Sequence, residues 1–462
     1  MKPLHALPWL ALLLAGCASS PPPAVPPPPL PDRYAGSAAT ASPVLEADWW
    51  KRFNEPVLDA LVERALAANL DLRAAALRVD EAAVALGLAR ATQWPSVDFG
   101  AGVSRSRSST LTGQPVSPNG PESTSHRLSL STSFEVDLWG RLRDATAAAQ
   151  AQLLSTQHAR DTVRLALVGT LVQSWLALRA LDQQTATLDA QLKLRVDSLS
   201  LVQRRVKGGV ASGLDEAQAQ AALAALAAQT HELARQRSLL EHQIAQLVGD
   251  PAWTAARDAR ALPPPAAVPA GLPSELLLRR PDLQQAEAAM RAAFAQYEVT
   301  RKSAWPTLSL TASAGAQSAE LLDIVKAGAR VWSLGPQLLV SVFDAGRNQA
   351  RTDEARLQAE QAVIGWQKSA QTAFREVADA LGSGGALAAQ ESELERQRSA
   401  ALEAQRIATR RYEAGYAGYL EVLDAQRVAS DAELALLRVR QARLDASVAL
   451  IKALGGGWRA AT

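Results

Sequence analysis

Glu421 and Asp424 stand three residues apart, just past a glycine-containing turn, in the run Tyr419-Leu420-Glu421-Val422-Leu423-Asp424. On a helix that spacing puts both carboxylates on one face. By residue type alone these two read as ordinary solvated charges on a helix face. Asp215 is the counterpart of Glu421 in an earlier, matching turn (421 − 215 = 206). No catalytic set assembles around them. Beyond Cys17 the histidines are His126, His158, His231 and His242, and none belongs to a His-Glu-x-x-His pattern. His231 and His242 share a helix face three turns apart, too far to ligate one metal. Gly455-Gly456-Gly457 follows a helix instead of opening one, so it reads as a helix stop and not as a phosphate cradle. Cys17 is the only thiol, which excludes an intrachain disulfide. The residues therefore predict no enzyme, no metal site and no cofactor.

The elements that carry these residues occur twice. Asn69-Leu70-Asp71-Leu72 leads to Trp94-Pro95, and Arg280-Pro281-Asp282-Leu283 leads to Trp305-Pro306, at one offset (282 − 71 = 211; 305 − 94 = 211). Val136-Asp137-Leu138-Trp139-Gly140-Arg141 is echoed by Phe343-Asp344-Ala345-Gly346-Arg347. Arg205-Val206-Lys207-Gly208-Gly209 and Leu214-Asp215 are echoed by Arg411-Tyr412-Glu413-Ala414-Gly415 and Leu420-Glu421 (411 − 205 = 206; 420 − 214 = 206). A repeat this long is not a solenoid of small modules. It predicts two copies of one unit: a helix, a strand pair, then a helix pair.

Four segments alternate as strands do. Val97, Phe99, Ala101 and Val103 alternate with small or polar residues; so do Leu128, Leu130, Phe134 and Val136, then Leu308, Leu310, Ala312 and Ala314, and less cleanly Leu338, Val340 and Val342. One apolar and one small-polar face suit lipid outside and water inside. Strand pairs are expected at 96–136 and 307–343, with long loops from Arg105 to His126 and from Gln317 to Pro336. Trp94, Trp139 and Trp305 fall where strand meets helix and read as membrane-interface aromatics. Four strands are too few to close a membrane barrel, whose minimum is about eight, so several chains must share one. The remainder is long helix. From Leu142 to Val206 there is no proline and only Gly169, which would give a helix near 100 Å at about 1.5 Å per residue. Leu223, Leu226, Thr230, Leu233, Arg237, Leu240, Ile244 and Leu247 step three-four-three-four, as do Leu434, Leu437, Gln441, Leu444, Val448 and Ile451. Thr230, Arg237 and Gln441 should weaken that seam, and Gly382-Ser383-Gly384-Gly385 should break or kink its helix. Glycine-bearing tips are expected at 206–213 (Gly208, Gly209, Gly213) and 412–419 (Gly415, Gly418).

The chain has 462 residues, 20% of them charged, with a net charge of +2, so no nucleic-acid surface is indicated. Lys2 precedes an apolar run, Leu4 to Leu14, too short to span a bilayer and the right size for a secretory signal. It ends in Leu14-Ala15-Gly16-Cys17, which resembles the bacterial lipoprotein box, where cleavage precedes a cysteine that is then acylated. Ala18, in place of an aspartate, favours the outer membrane. No later segment is expected to reach the ~18 apolar residues of a membrane-spanning helix. The expected organisation is a lipoprotein signal at 1–16, an acylated cysteine and Pro-rich tether at 17–45, a first repeat at 46–250, a connector at 251–273 and a second repeat at 274–462.

Six stretches in order resemble the TolC-like outer-membrane factors, in the lipoprotein branch of tripartite efflux systems with RND transporters (NodT/OprM-like). They are the cysteine box, Phe134 to Arg141, Leu278-Arg279-Arg280-Pro281-Asp282, Phe343 to Arg347, Tyr419 to Arg427, and Lys452 to Trp458. Trp305-Pro306 departs mildly from the usual Phe-Pro. The resemblance implies an α+β membrane protein. Three copies would share a 12-stranded transmembrane β-barrel, four strands per chain, continued by a long periplasmic α-helical barrel. It implies a passive outer-membrane exit duct for small toxic compounds, a homotrimer whose partners are a periplasmic membrane-fusion adaptor and an inner-membrane RND transporter. Tip residues Arg205, Gly209, Gly213, Leu214, Asp215, Arg411, Gly415, Gly418 and Leu420 would contact the adaptor. Glu421 and Asp424 would ring the closed periplasmic end as a gate. Tyr412, Tyr416 and Tyr419 read equally as side chains that close the pore by packing and as ones that pack between helices. Three carboxylates ~6 Å apart repel by about 0.7 kcal/mol per pair in water. Cys17 would carry the lipid. A protein-secretion channel and a non-porous envelope lipoprotein are the alternatives; acylation argues against the first, strand alternation against the second.

Overall fold

The computed structural model describes residues 46–111, 120–266 and 276–457. Cys17, the tether, the middle of the first loop, the end of the connector and Trp458 lie outside them. Eleven labelled elements run in order: α1 (Pro56–Ala68), α2 (Leu70–Ala91), β1 (Ser96–Arg107), β2 (Glu122–Val136), α3 (Arg141–Lys207), α4 (Gly213–Leu247), α5 (Pro281–Lys302), β3 (Thr307–Ser318), β4 (Arg330–Leu339), α6 (Arg347–Glu413) and α7 (Tyr419–Ala453). The duplication is visible in their lengths: α2 and α5 have 22 residues each, β1 and β3 have 12, α3 and α6 have 67, and α4 and α7 have 35.

The chain divides into two compact units. One holds Arg78–Thr156 and Ala286–Trp366; the other holds Gln157–Gln285, the residues from Gln367 onward and the described residues up to Leu77. The first contains an antiparallel sheet in the order β1-β2-β3-β4. Its registers align the predicted faces: Phe99 lies opposite Leu130, Leu130 opposite Ala314 and Leu310 opposite Pro336. The apolar face stays open to the surroundings, with Val97, Phe99, Val103, Leu130, Leu334 and Leu338 exposed. An uncovered apolar sheet face is costly in water and suits lipid.

Strand limits differ from the sequence reading in both pairs. β1 runs to Arg107 and β2 begins at Glu122, so the first loop is shorter than expected. β3 runs to Ser318 and β4 begins at Arg330, so the second loop is much shorter than expected. Pro336, read as loop, sits inside β4, where an edge strand tolerates a missing N–H. Conversely, Val340 to Phe343 fall outside β4. Their cross-strand partners would lie beyond the N-terminal end of β3, where the chain has already turned into Pro306.

The second unit holds the main core, in which Trp49, Phe53, Leu58, Leu171, Ile244, Val377 and Ile451 are buried together. The three-four stepping is reflected in a second cluster of Leu181, Leu188, Leu226, Leu233 and Leu434. The repeat also reappears as contacts. Asn69 Nδ2 donates to the Leu247 carbonyl at 3.1 Å. At the equivalent place Arg280 Nη1 donates to the Ala453 carbonyl at 3.0 Å. Each ties a helix start to the end of a helix pair and satisfies a C-terminal carbonyl.

Three expectations are corrected here. α6 is helical through Gly382 to Gly385 without a break. Each glycine costs about 1 kcal/mol relative to Ala, and a long helix packed at other positions carries that. Arg237 does not loosen its seam. It is buried, with Nε 2.7 Å from Asp182, Nη1 2.6 Å from Glu241 and Nη2 donating to the Ala255 carbonyl at 2.9 Å, so it fastens the connector to α3 and α4. One stretch of α3 does match a membrane-spanning helix in length and composition, but 72% of it is buried inside the fold, as a core helix is.

Candidate functional site

Both helix-pair tips are built by the same backbone device. At the end of α3, Gly209 N–H reaches the Val206 carbonyl at 3.0 Å and Val210 N–H the Arg205 carbonyl at 2.9 Å. At the end of α6, Gly415 N–H reaches the Tyr412 carbonyl at 3.0 Å and Tyr416 N–H the Arg411 carbonyl at 2.8 Å. This paired closure needs a left-handed residue, and Gly209 (φ +72) and Gly415 (φ +80) supply it.

The next helices start differently. Ser212 caps α4: its hydroxyl accepts from Asp215 N–H, and the Asp215 carboxylate accepts from Ser212 N–H at 3.0 Å. Asp215 is thus half of a reciprocal capping box. α7 starts at Gly418, which has no side chain to cap with.

The tips are clamped together. Tyr412, 6% exposed, packs with Tyr419, Val202, Ala219 and Val422. The two tyrosine rings lie 5.6 Å apart. The Arg205 guanidinium sits 4.4 Å above the Tyr412 ring and donates to the Tyr412 and Glu413 carbonyls at 2.9 and 2.8 Å. A cation on these last carbonyls is favoured by the helix dipole. Burial pushes the Tyr412 phenol up, so it stays neutral. The predicted acids lie outside this clamp. Glu421 is exposed, 3.7 Å from Arg411. Asp424 is exposed and 2.9 Å from Arg427, which also lies 3.5 Å from Asp431. The Asp424 carboxylate beside Arg427 raises the guanidinium's proton affinity. Tyr416 is 79% exposed, and Leu214 and Leu420 are exposed apolar groups at the tips.

At the strand-to-helix junctions, Trp139 Nε1 donates to the Pro306 carbonyl at 2.7 Å and its ring meets Trp305 edge to face at 5.2 Å. Trp94 is well exposed. The repeated aspartates of this motif are helix caps, which sequence reasoning missed. Asp137 accepts from Leu142 and Arg143 N–H at 3.1 and 3.0 Å, and Asp344 from Gly346 and Asn348 N–H at 3.0 and 2.9 Å. An acid a few residues before a long helix was the available signal.

Residues 61–250 and again 272–456 match the family model for outer membrane efflux proteins. The chain belongs to that family. SrpC of Pseudomonas putida, a solvent efflux pump outer membrane protein, is 35% identical over 431 residues, covering 91% of this chain and 89% of SrpC. The cation efflux system protein CusC of Escherichia coli is 31% identical over 478 residues, covering 99% and 100%. The solved outer-membrane channel OprN superposes with a TM-score of 0.88 at 29% identity, over 96% of this chain and 99% of that one. The outer membrane efflux proteins are channels, not enzymes, which accords with the absence of a catalytic set in the sequence.

Proposed function

We propose that this outer membrane efflux protein is the passive exit duct of a tripartite pump for small toxic compounds. Three copies would each give four strands to one barrel and their long helices to a periplasmic tunnel. The observation that carries the reading is the sheet: four strands, an uncovered apolar face and two unpaired edges, in a chain whose family exports across the outer membrane. Such a sheet is stable in lipid only when its edges close. Trp94, Trp139 and Trp305 would then mark the membrane interface.

The exposed tip residues Gly209, Gly213, Leu214, Arg411, Gly415, Gly418 and Leu420, with the half-buried Asp215, would dock on a periplasmic membrane-fusion adaptor joined to an RND transporter, with Arg205 bracing them from behind. Glu421 and Asp424, brought together by three-fold symmetry, would form a ring of fixed negative charge at the closed end. Tyr416 projects and Tyr412 locks the tips. Acylation at Cys17 would hold the assembly to the outer membrane, and no cofactor takes part. The test is planar-bilayer recording of purified protein. Discrete cation-selective conductance is expected, and a membrane that stays silent at every protein concentration would sink the channel reading.

A further inference from the structure

Asp445 and Lys452 stand two turns apart on one face of α7 (452 − 445 = 7). Both line a cavity of about 660 Å3. Its walls come from α3, the start of α5, α6 and α7, all within the second unit. Between the two charges α7 offers only Ala446 and Ala449 to the cavity, and their small side chains leave the floor open. Gly169, the one glycine of α3, makes room for the lysine: a Cβ there would lie 2.8 Å from Lys452 Cε.

Six charged side chains line this cavity, and four of them are already engaged. Arg280 holds Asp282 at 2.7 Å and Glu376 at 2.8 Å, and Asp379 lies 3.3 Å from Arg375. Asp445 and Lys452 have no ion-pair partner among the described residues. Nor do they neutralise each other, since at about 1.5 Å of rise per residue their backbones are roughly 10 Å apart. One Asp445 oxygen is buried without a hydrogen bond. Burial alone pushes this carboxyl up to about 6, with no cation to offset it. Burial also pushes the Lys452 ammonium down, and Glu376, already committed to Arg280, offsets only part of that.

A desolvated charge without a partner is unfavourable, so each end of the cavity favours a guest of the opposite sign. We propose that the cavity binds a zwitterionic small molecule, whose ammonium meets Asp445 and whose anionic group meets Lys452. The two charges of the guest are held apart by a chain of several carbons, which lies over Ala446 and Ala449. A molecule whose charges adjoin reaches only one of the two side chains at a time. The site is distinct from the acids of the proposed gate, being 21 residues further along α7 than Asp424 (445 − 424 = 21), and it does not rest on the duct reading.

The test is isothermal titration of full-length protein in detergent with ε-aminocaproate. The comparison ligands are hexylamine and hexanoate, each with one charge, and glycine and glycerophosphoethanolamine, whose charges are close together. At pH 7 ε-aminocaproate should bind at least ten-fold more tightly than any of the four. Its affinity should rise about ten-fold from pH 5 to pH 7 as the Asp445 carboxylate ionises, whereas that of hexanoate should not rise. Asp445→Asn should weaken ε-aminocaproate to the level of hexanoate and leave hexanoate binding in place. Lys452→Met keeps an apolar stem over Gly169 and should do the reverse, sparing hexylamine. These opposite losses separate a two-ended site from general damage to the fold. Equal affinity for ε-aminocaproate and hexylamine would reduce the site to a cation pocket and overturn the proposal. Tighter binding of glycerophosphoethanolamine would assign it to a lipid headgroup and overturn the spacing. No binding of any ligand overturns it outright. If either variant fails to fold, the ligand series and the pH dependence on the unaltered protein decide.

Discussion

Glu421 and Asp424 are solvent-exposed acids with exposed basic neighbours, and pairs of that kind contribute about 0–1 kcal/mol each. Their weight is therefore in the field they set up, not in stability. Glu421→Gln with Asp424→Asn should lower the cation preference, read as a smaller reversal potential across a salt gradient. An unchanged potential would mean that these carboxylates do not line the constriction. Asp445 on α7 behaves in the opposite way. It faces a cavity of about 660 Å3 that Lys452 also lines. One carboxylate oxygen is buried without a partner, and burial pushes its pKa up to about 6. A folded pKa above the usual carboxylate value means the folded state prefers the proton. Stability is thus highest below about pH 4, falls as pH rises to about 6, and stays lower beyond. Because the group is partly exposed, the cost at neutral pH is roughly 1 kcal/mol. Asp445→Asn should raise the melting temperature at pH 7.5 and leave it unchanged at pH 4; an equal rise at both would remove ionisation as the cause.

The helix pairs are the elements on which the tips depend. α4 is entered through the Ser212–Asp215 box, whereas α7 is entered through Gly418, although both starts have extended backbone. That leaves the second tip with the looser start, next to the acids. Gly418→Ser would put a hydroxyl three residues before Glu421, the spacing of a capping box. The expected gain is about 0.5 kcal/mol, seen as a roughly two-fold slowing of amide exchange over residues 416–424. Exchange at the wild-type rate would show that the tip is held by the tyrosine clamp alone.

For the whole molecule, the sheet has an open apolar face and the helices end in exposed tips, features that suit a protein working between a membrane and a partner. Lipid attachment is a separate matter from folding, since buried acyl chains act through about 0.8 kcal/mol per methylene whatever the fold below them. Cys17→Ser should abolish incorporation of radioactive palmitate while heat-resistant oligomers still form. Equal label on both proteins would exclude the cysteine as the acylation site.

Periodicity determines a good deal of this protein without coordinates. The alternation from Val97 to Val103 and from Leu308 to Ala314, the glycines at the tips and the offsets of 211 and 206 are local or repeated patterns, and local patterns reflect backbone geometry directly. Tertiary structure decided what depended on distant partners. Arg237 looked like a flaw in a seam until Asp182, Glu241 and the Ala255 carbonyl were seen around it. Tyr412 and Arg205 were individually visible, but their stacking belongs to two helices more than 200 residues apart in sequence. The glycines near Gly382 carry a propensity that the packing of a 67-residue helix overrides. Val340 to Val342 alternate as a strand does, yet a strand exists only where a neighbouring strand offers its backbone groups, and among the described residues none is there.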